Sequence, residues 1–136
     1  MKRPVAVVGV GQTKHTSKRA ELNVSEMVRE AVDRALEDAG LTHDDIDAVV
    51  IGKAPDPLEG IMQPEQLLAG AVGAHLKPIL RVHTAGSVGM TTALTAATHV
   101  GSGLFDRVLT IGFEKQSEGN AMWALSPSYP FTPPMV

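Results

Sequence analysis

The class this sequence predicts is an α/β fold, a mostly parallel sheet with helices on both faces in the order β-α-β-α-β-α-β. Three observations predict it. Short continuous apolar runs recur at 5–11, 48–52, 79–82 and 107–113, the pattern of strands covered on both faces. Stretches with helical spacing or helix-start chemistry separate them. Each run ends at glycine or at small residues that allow a tight turn, and right-handed crossovers then fix the hand of the sheet.

The 136 residues, 43% hydrophobic and 20% charged, are the composition of one soluble globular domain with a core of its own. Twelve basic and fifteen acidic residues are mixed along the chain for a net charge of −3. No basic patch results, which argues against a nucleic-acid partner. There is no apolar run long enough to span a membrane, and Met1-Lys2-Arg3-Pro4 leads into a β-like stretch instead of a signal-peptide core. The expected address is cytoplasmic. The chain has no cysteine, so it supplies no disulfide, no Cys-based zinc site and no thiol nucleophile.

Residues 5–11 are the predicted first strand. Gly9 and Gly11 invite a dinucleotide-fingerprint reading, but the third glycine is missing and the next helix starts well downstream. The intervening 12–22 is polar and carries Lys14, His15, Lys18 and Arg19. These residues form either a solvated loop or a contact for a phosphate such as that of coenzyme A. The clearest helix follows. Asn23 and Glu26 make a capping-box start, Val24, Met27, Val28, Ala31, Val32, Ala35, Leu36 and Ala39 repeat at helical spacing, and Gly40 ends it. Oppositely charged pairs on its outer face solvate it. The acidic turn at 42–47 has no repeated ligand spacing and reads as a helix-to-strand connection, not a metal site.

After the strand at 48–52, Pro55, Pro57 and Gly60 mark 53–63 as a loop. Pro64 then suits the first position of a helix running to about Leu76, with Gly70 and Gly73 marking tight packing. Lys77-Pro78 breaks it before the strand at 79–82. That strand delivers the chain to 83–103, the stretch around which the rest is organised. Small residues at 84–87 and 89 let a substrate or a backbone approach closely, and amides at the helix start suit an oxyanion or a thioester carbonyl. The helix beyond carries only His99 as a titratable side chain, so it is expected to be buried. It is either a central, ligand-facing helix or a plain core helix without chemistry.

The last predicted strand, 107–113, leads to Glu114-Lys115-Gln116-Ser117-Glu118-Gly119 at the end where open α/β sheets place their sites. Residues 120–136 hold Met122, Trp123, Leu125, Tyr129 and Phe131 among prolines. They are too apolar for a solvated linker, and the expectation is that they pack on something, with the fold completed by further chain or by a partner.

Two motifs carry a family resemblance. Val8-Gly9-Val10-Gly11-Gln12-Thr13-Lys14 looks like the opening strand of sterol-carrier/lipid-transfer-type thiolases, and residues 111–119, Ile111-Gly112-Phe113-Glu114-Lys115-Gln116-Ser117-Glu118-Gly119, look like their motif after the fourth strand. On these the chain resembles the N-terminal half of the thiolase superfamily over essentially its whole length. The resemblance implies a thiolase-like N-terminal α/β domain at 1–119, with 120–136 opening the loop region that leads to the remainder. It is nearest to actinobacterial lipid-transfer-protein-like thiolases of sterol side-chain breakdown. Lys53-Ala54-Pro55-Asp56, Arg81 through Gly89 and Asn120-Ala121-Met122-Trp123-Ala124-Leu125 resemble theirs.

Counting back from Glu114-Lys115 without a gap places the family's Cys-small-small-Gly nucleophile motif on Gly86-Ser87-Val88-Gly89, with the cysteine position at Gly86. Thiolysis through a covalent acyl cysteine is then closed to this chain. The resemblance points instead to an aldol lyase, favoured over an acyltransferase: retro-aldol cleavage of a 3-hydroxyacyl-CoA, which needs a base and oriented donors but no nucleophile. A lipid-transfer or scaffold subunit without turnover, and an ordinary acyl-CoA thiolase fragment, are the alternatives. His83 is the best local base candidate. Ser87 reads as a helix cap or, less often, a nucleophile. Thr84, Gly86, Ser87, Val88 and Gly89 are the expected substrate-binding residues, and Glu114 and Lys115 an ion pair or support for the site. No metal and no resident cofactor are expected, coenzyme A being part of the substrate. The resemblance further implies at least a dimer, through the third strand, and an OB-fold partner that binds coenzyme A esters.

Overall fold

In the helix at Val24–Ala39, here α1, Asn23 accepts a hydrogen bond from the Glu26 amide (2.9 Å) while the Glu26 carboxylate accepts one from the Asn23 amide (2.8 Å). Both otherwise orphaned donors are thereby paired. Gly40, at φ 65°, closes the far end in the left-handed conformation that glycine adopts without a Cβ penalty. The computed structural model that shows this describes residues 3–54 and 60–119.

Three parallel strands make the sheet of these residues: β1 (Ala48–Gly52), β2 (Ile79–Val82) and β3 (Val108–Gly112), in the order β2-β1-β3. The strand period assigns the two faces of β1 to different helices. Val49 and Ile51, in register with Leu109 and Ile111, join the core formed with Val28, Val32 and Leu36 of α1 and Leu68 of α2 (Pro64–Leu68). Gly52 lies on the opposite face, against α3 (Val88–Ser102), where Thr92 occupies the place a Cβ would take. Residues 48–51 are fully buried, as a strand covered on both sides must be.

The acidic connection before β1 is made of turn bonds. Asp45 accepts from the amide and the hydroxyl of Thr42 (both 2.8 Å), and these bonds hold its carboxyl below the ordinary value. Asp47 accepts the amides of Asp106 (2.9 Å) and Arg107 (2.8 Å), tying the start of β1 to the start of β3.

Three expectations are corrected. Residues 5–11 form no ladder, and Val7, Val8 and Val10 are 82%, 66% and 70% exposed. Arg3 anchors their start to the Val100 carbonyl (2.6 Å) and Asp106 (2.7 Å), and Gly9 and Gly11 lie directly on the α1 backbone. The apolar pattern suits a strand, but among the described residues nothing comes alongside to pair with it. The second helix stops at Leu68 instead of continuing to about Leu76: from Ala69 the chain continues in turns, with the Ala69 amide bonded to Gln66 and the Gly73 amide to Gly70, and Gly73 (φ 64°) and Leu76 (φ 57°) are left-handed. The third helix is only half covered: Thr92, Ala96 and Gly101 are buried, whereas Met90 is 77% and Leu94 58% exposed, because the sheet covers a single side. The expected proline loop at 55–59 and the apolar stretch 120–136 lie outside the described residues.

Candidate active site

β2 ends at Val82 and places His83 and Thr84 at the carboxyl edge of the sheet, where a 3-10 turn, Ala85–Ser87, feeds directly into α3. The turn is bound to itself. Thr84 accepts hydrogen bonds on its carbonyl from the Ser87 amide (3.1 Å) and the Ser87 hydroxyl (2.8 Å), and the Val88 amide donates to Ala85. Thr91 donates to the Ser87 carbonyl (3.1 Å) and receives the Thr84 hydroxyl proton (3.0 Å), which fastens the turn to the first turn of the helix.

These bonds change the expected roles. Ser87 occupies the N-cap position of α3, yet its hydroxyl donates backwards to Thr84 instead of accepting a helix amide. That hydroxyl is also not bonded to His83, which is exposed, so no Ser–His dyad is assembled. The amides of Ser87 and Val88 are used within the turn and are not aimed outward.

What the turn leaves open is glycine backbone. Gly86 and Gly89 are exposed, and a Cβ at either would meet nothing within 4 Å. Ala85 takes a left-handed φ of 46° just before Gly86. For a residue with a Cβ that costs about 1–2 kcal/mol, held here by the surrounding bonds.

Glu114 and Lys115, expected as an ion pair or as support for the site, follow β3 at the same end of the sheet, and each has a partner elsewhere in the chain. Glu114 takes the Ala54 amide on its carboxylate and lies 3.9 Å from the ammonium of Lys53. Lys115 donates to the Leu22 carbonyl (2.7 Å) and pairs with Glu118. Lys53 itself is 1% exposed, with its ammonium 5.9 Å from the centre of the Phe113 ring. By sequence it belongs to the loop at 53–63. The signal for it was a lysine directly continuing a fully apolar strand, a place where burial demands a partner. Together these bonds brace the carboxyl ends of β1 and β3.

The described residues thus form a sheet whose open carboxyl end carries a tight small-residue turn at a helix head. The family model for the thiolase N-terminal domain matches residues 5–128. The chain belongs to the thiolase family. It is 31% identical over 121 residues to the sterol carrier protein 2 of Bos taurus, covering 88% of this chain and 22% of that protein. It is 32% identical over 120 residues to an acetyl-CoA acetyltransferase of Methanothermobacter thermautotrophicus, covering 85% of this chain and 30% of that one. The chain therefore spans less than a third of the length of these relatives. Among solved structures, the 3-oxoacyl-(acyl-carrier-protein) synthase III of Aquifex aeolicus superposes with a TM-score of 0.65 at 24% identity, over 74% of this chain and 32% of that one. A tetronic acid condensing enzyme superposes at the same TM-score of 0.65, at 19% identity over 85% and 37% of the two chains. At those identities the two structures establish the thiolase-like α/β fold alone.

Proposed function

We propose that this thiolase-family chain is the N-terminal part of a carbon–carbon lyase that cleaves a 3-hydroxyacyl-CoA by a retro-aldol step in steroid side-chain degradation. The observation that carries the reading is the head of α3. The chain has no cysteine, and Gly86, where the family register places the nucleophile, presents bare backbone with open space beyond it. A reaction with no covalent intermediate fits a turn with no nucleophile.

In that step a base removes the proton of the 3-hydroxyl, the bond between C2 and C3 breaks, and C3 becomes a ketone. The electron pair passes to the thioester as an enolate, which is protonated at C2 to release a shorter acyl thioester. His83, exposed beside the turn, is the local base, and the open backbone at Gly86 and Gly89 is where the thioester approaches. Coenzyme A enters as part of the substrate and no resident cofactor is required. The protein acts in the cytoplasm as a dimer or larger assembly paired through β2, beside an OB-fold partner. No helix among the described residues is long and apolar enough to cross a membrane.

A second reading, a lipid-transfer or scaffold subunit, is favoured by the missing Ser–His contact and by the sterol carrier protein relatives. One assay separates the two. The complete polypeptide, with its OB-fold partner, is given a steroid 3-hydroxyacyl-CoA, and chromatography with mass detection follows the products. The expected result is a ketone and a shorter acyl-CoA in equal amounts; binding without products would replace the lyase by the carrier.

A further inference from the structure

Gly52 ends the middle strand of the sheet, in register with Val82 of β2 and Gly112 of β3. Its backbone is tied on both sides. The Gly52 carbonyl accepts the Phe113 amide (3.3 Å), and the next amide, that of Lys53, donates to the Val82 carbonyl (3.4 Å). A residue held between two neighbouring strands does not yield to a side chain pressed against it. That side chain is Thr92 of α3, which is buried, and its hydroxyl donates to the carbonyl of Val88, the first residue of the helix (2.6 Å).

The fit leaves no spare room. A Cβ on Gly52 would stand 2.0 Å from the Thr92 hydroxyl oxygen and 3.0 Å from the Thr92 Cβ. Contacts of a Cβ stay at 3.0 Å or beyond, so one added methyl group displaces Thr92 by about 1 Å. Turning the Thr92 side chain aside instead would break its bond to Val88. Either way the head of α3 is disturbed, and the turn before it follows. The Val88 amide is bonded to Ala85, and Thr91 is bonded to Ser87 and Thr84, so the turn and the first turn of the helix move as one body.

We propose that Thr92, seated on Gly52, is a positioning residue: their contact sets how high the turn at 84–89 stands over the carboxyl end of the sheet, and with it where the open backbone at Gly86 and Gly89 meets the thioester. The catalytic consequence rests on the proposed lyase reading; the control of the turn by the contact does not. Neither residue supplies a group to the reaction. Their effect is on placement, and a misplacement of about 1 Å in a reacting complex costs a rate factor of about a hundred.

The test uses the complete polypeptide, isotope-labelled at glycine for NMR, as Gly52→Ala, as Thr92→Ala and with both changes. In Gly52→Ala the Gly86 and Gly89 amide signals should shift, and kcat for cleavage of the 3-hydroxyacyl-CoA should fall about a hundredfold while KM changes less than about twofold. Adding Thr92→Ala removes the hydroxyl and leaves only the 3.0 Å contact, so the signals should move back and kcat should recover about tenfold. The methyl group at 52 is present in both variants, so the return reports the relieved overlap. If Gly52→Ala does not fold, Thr92→Ser is compared with Thr92→Ala: serine keeps the bond to Val88 and should hold kcat near that of the unaltered protein, whereas alanine should lower it about tenfold. Unmoved glycine signals in a folded Gly52→Ala, no return in the double variant, shifted signals at an unchanged kcat, or equal kcat in the serine and alanine variants would overturn the positioning role. The two proposals fail separately. Cleavage with unmoved glycine signals refutes the positioning and keeps the lyase; signals that shift and return in a polypeptide that never cleaves the thioester keep the control of the turn and refute the lyase.

Discussion

Gly86 is the residue on which the chemistry turns, and its surroundings make it testable. Its φ is not in the left-handed region, and a Cβ there meets nothing within 4 Å, so Gly86→Cys places a thiol at the helix head without strain or overlap. The variant is expected to keep its stability within about 0.5 kcal/mol. In the complete polypeptide it should gain a covalent acyl adduct when given a 3-ketoacyl-CoA, read by intact mass. No adduct on a folded variant would mean that Gly86 is not the vacated nucleophile position. Lys53 carries a different burden. Removing one partner of a fully buried ion pair costs about 3–5 kcal/mol, but the Glu114 side chain is 22% exposed, so water offsets part of the loss. Lys53→Met should therefore lower the unfolding free energy in urea by about 2 kcal/mol. Adding Glu114→Gln should recover part of that; equal losses in both variants would show that Glu114 does not depend on Lys53.

Among the elements, the turn before β1 has a pH dependence whose direction follows from its bonds. Asp45 accepts the amide and hydroxyl of Thr42 only as a strong acceptor when ionised, so its folded pKa lies below the ordinary value of 3.8. The stability it contributes is fully present above the unfolded pKa and is lost as pH falls through the lower, folded one. Below about pH 4 the protection of the Thr42 amide, its exchange rate measured against the intrinsic rate at the same pH, should fall, and the Asp45 carboxyl should titrate by NMR below a peptide reference. A midpoint at or above that reference would show the bonds absent. This turn and α1 were both legible in the sequence, since capping chemistry and helical spacing act over three or four residues. Elements whose form depends on distant chain were not. Residues 5–11 have the composition of a strand, but a strand exists only with a neighbour, and none among the described residues supplies one. Met90 and Leu94 likewise read as core, although only the sheet side of α3 is covered. At the site, the small residues of the turn announced an accessible helix head. The backward bond from Ser87 to Thr84 and the approach of Lys53 to Glu114 depend on conformation and on a contact 61 residues away in sequence, beyond β3, that no local pattern encodes.

For the whole molecule, the proposed dimer has an edge to pair through. Parallel ladders use alternate residues of a strand on each side. β2 accepts from β1 on the carbonyls of Pro78 (2.9 Å, from the Val49 amide) and Val82 (3.4 Å, from the Lys53 amide), which turns the backbone groups of Ile79 and Arg81 to the free edge. Arg81→Pro therefore deletes an edge donor while sparing the bonds to β1, and an outward-facing position on an edge strand tolerates proline. Arg81→Pro should convert the dimer to a monomer in sedimentation equilibrium and leave the circular dichroism spectrum unchanged. The Arg81 side chain also donates to the Met62 carbonyl (2.9 Å) and lies 3.8 Å from Glu65, so Arg81→Ala serves as the control. It loses those surface contacts, worth about 1 kcal/mol or less, but keeps the backbone N–H. If the proline variant alone dissociates, the sheet continues from one copy into the next through β2; if both remain dimeric, the copies meet elsewhere, and the exposed face of α3 with Met90 and Leu94 becomes the surface to mutate next.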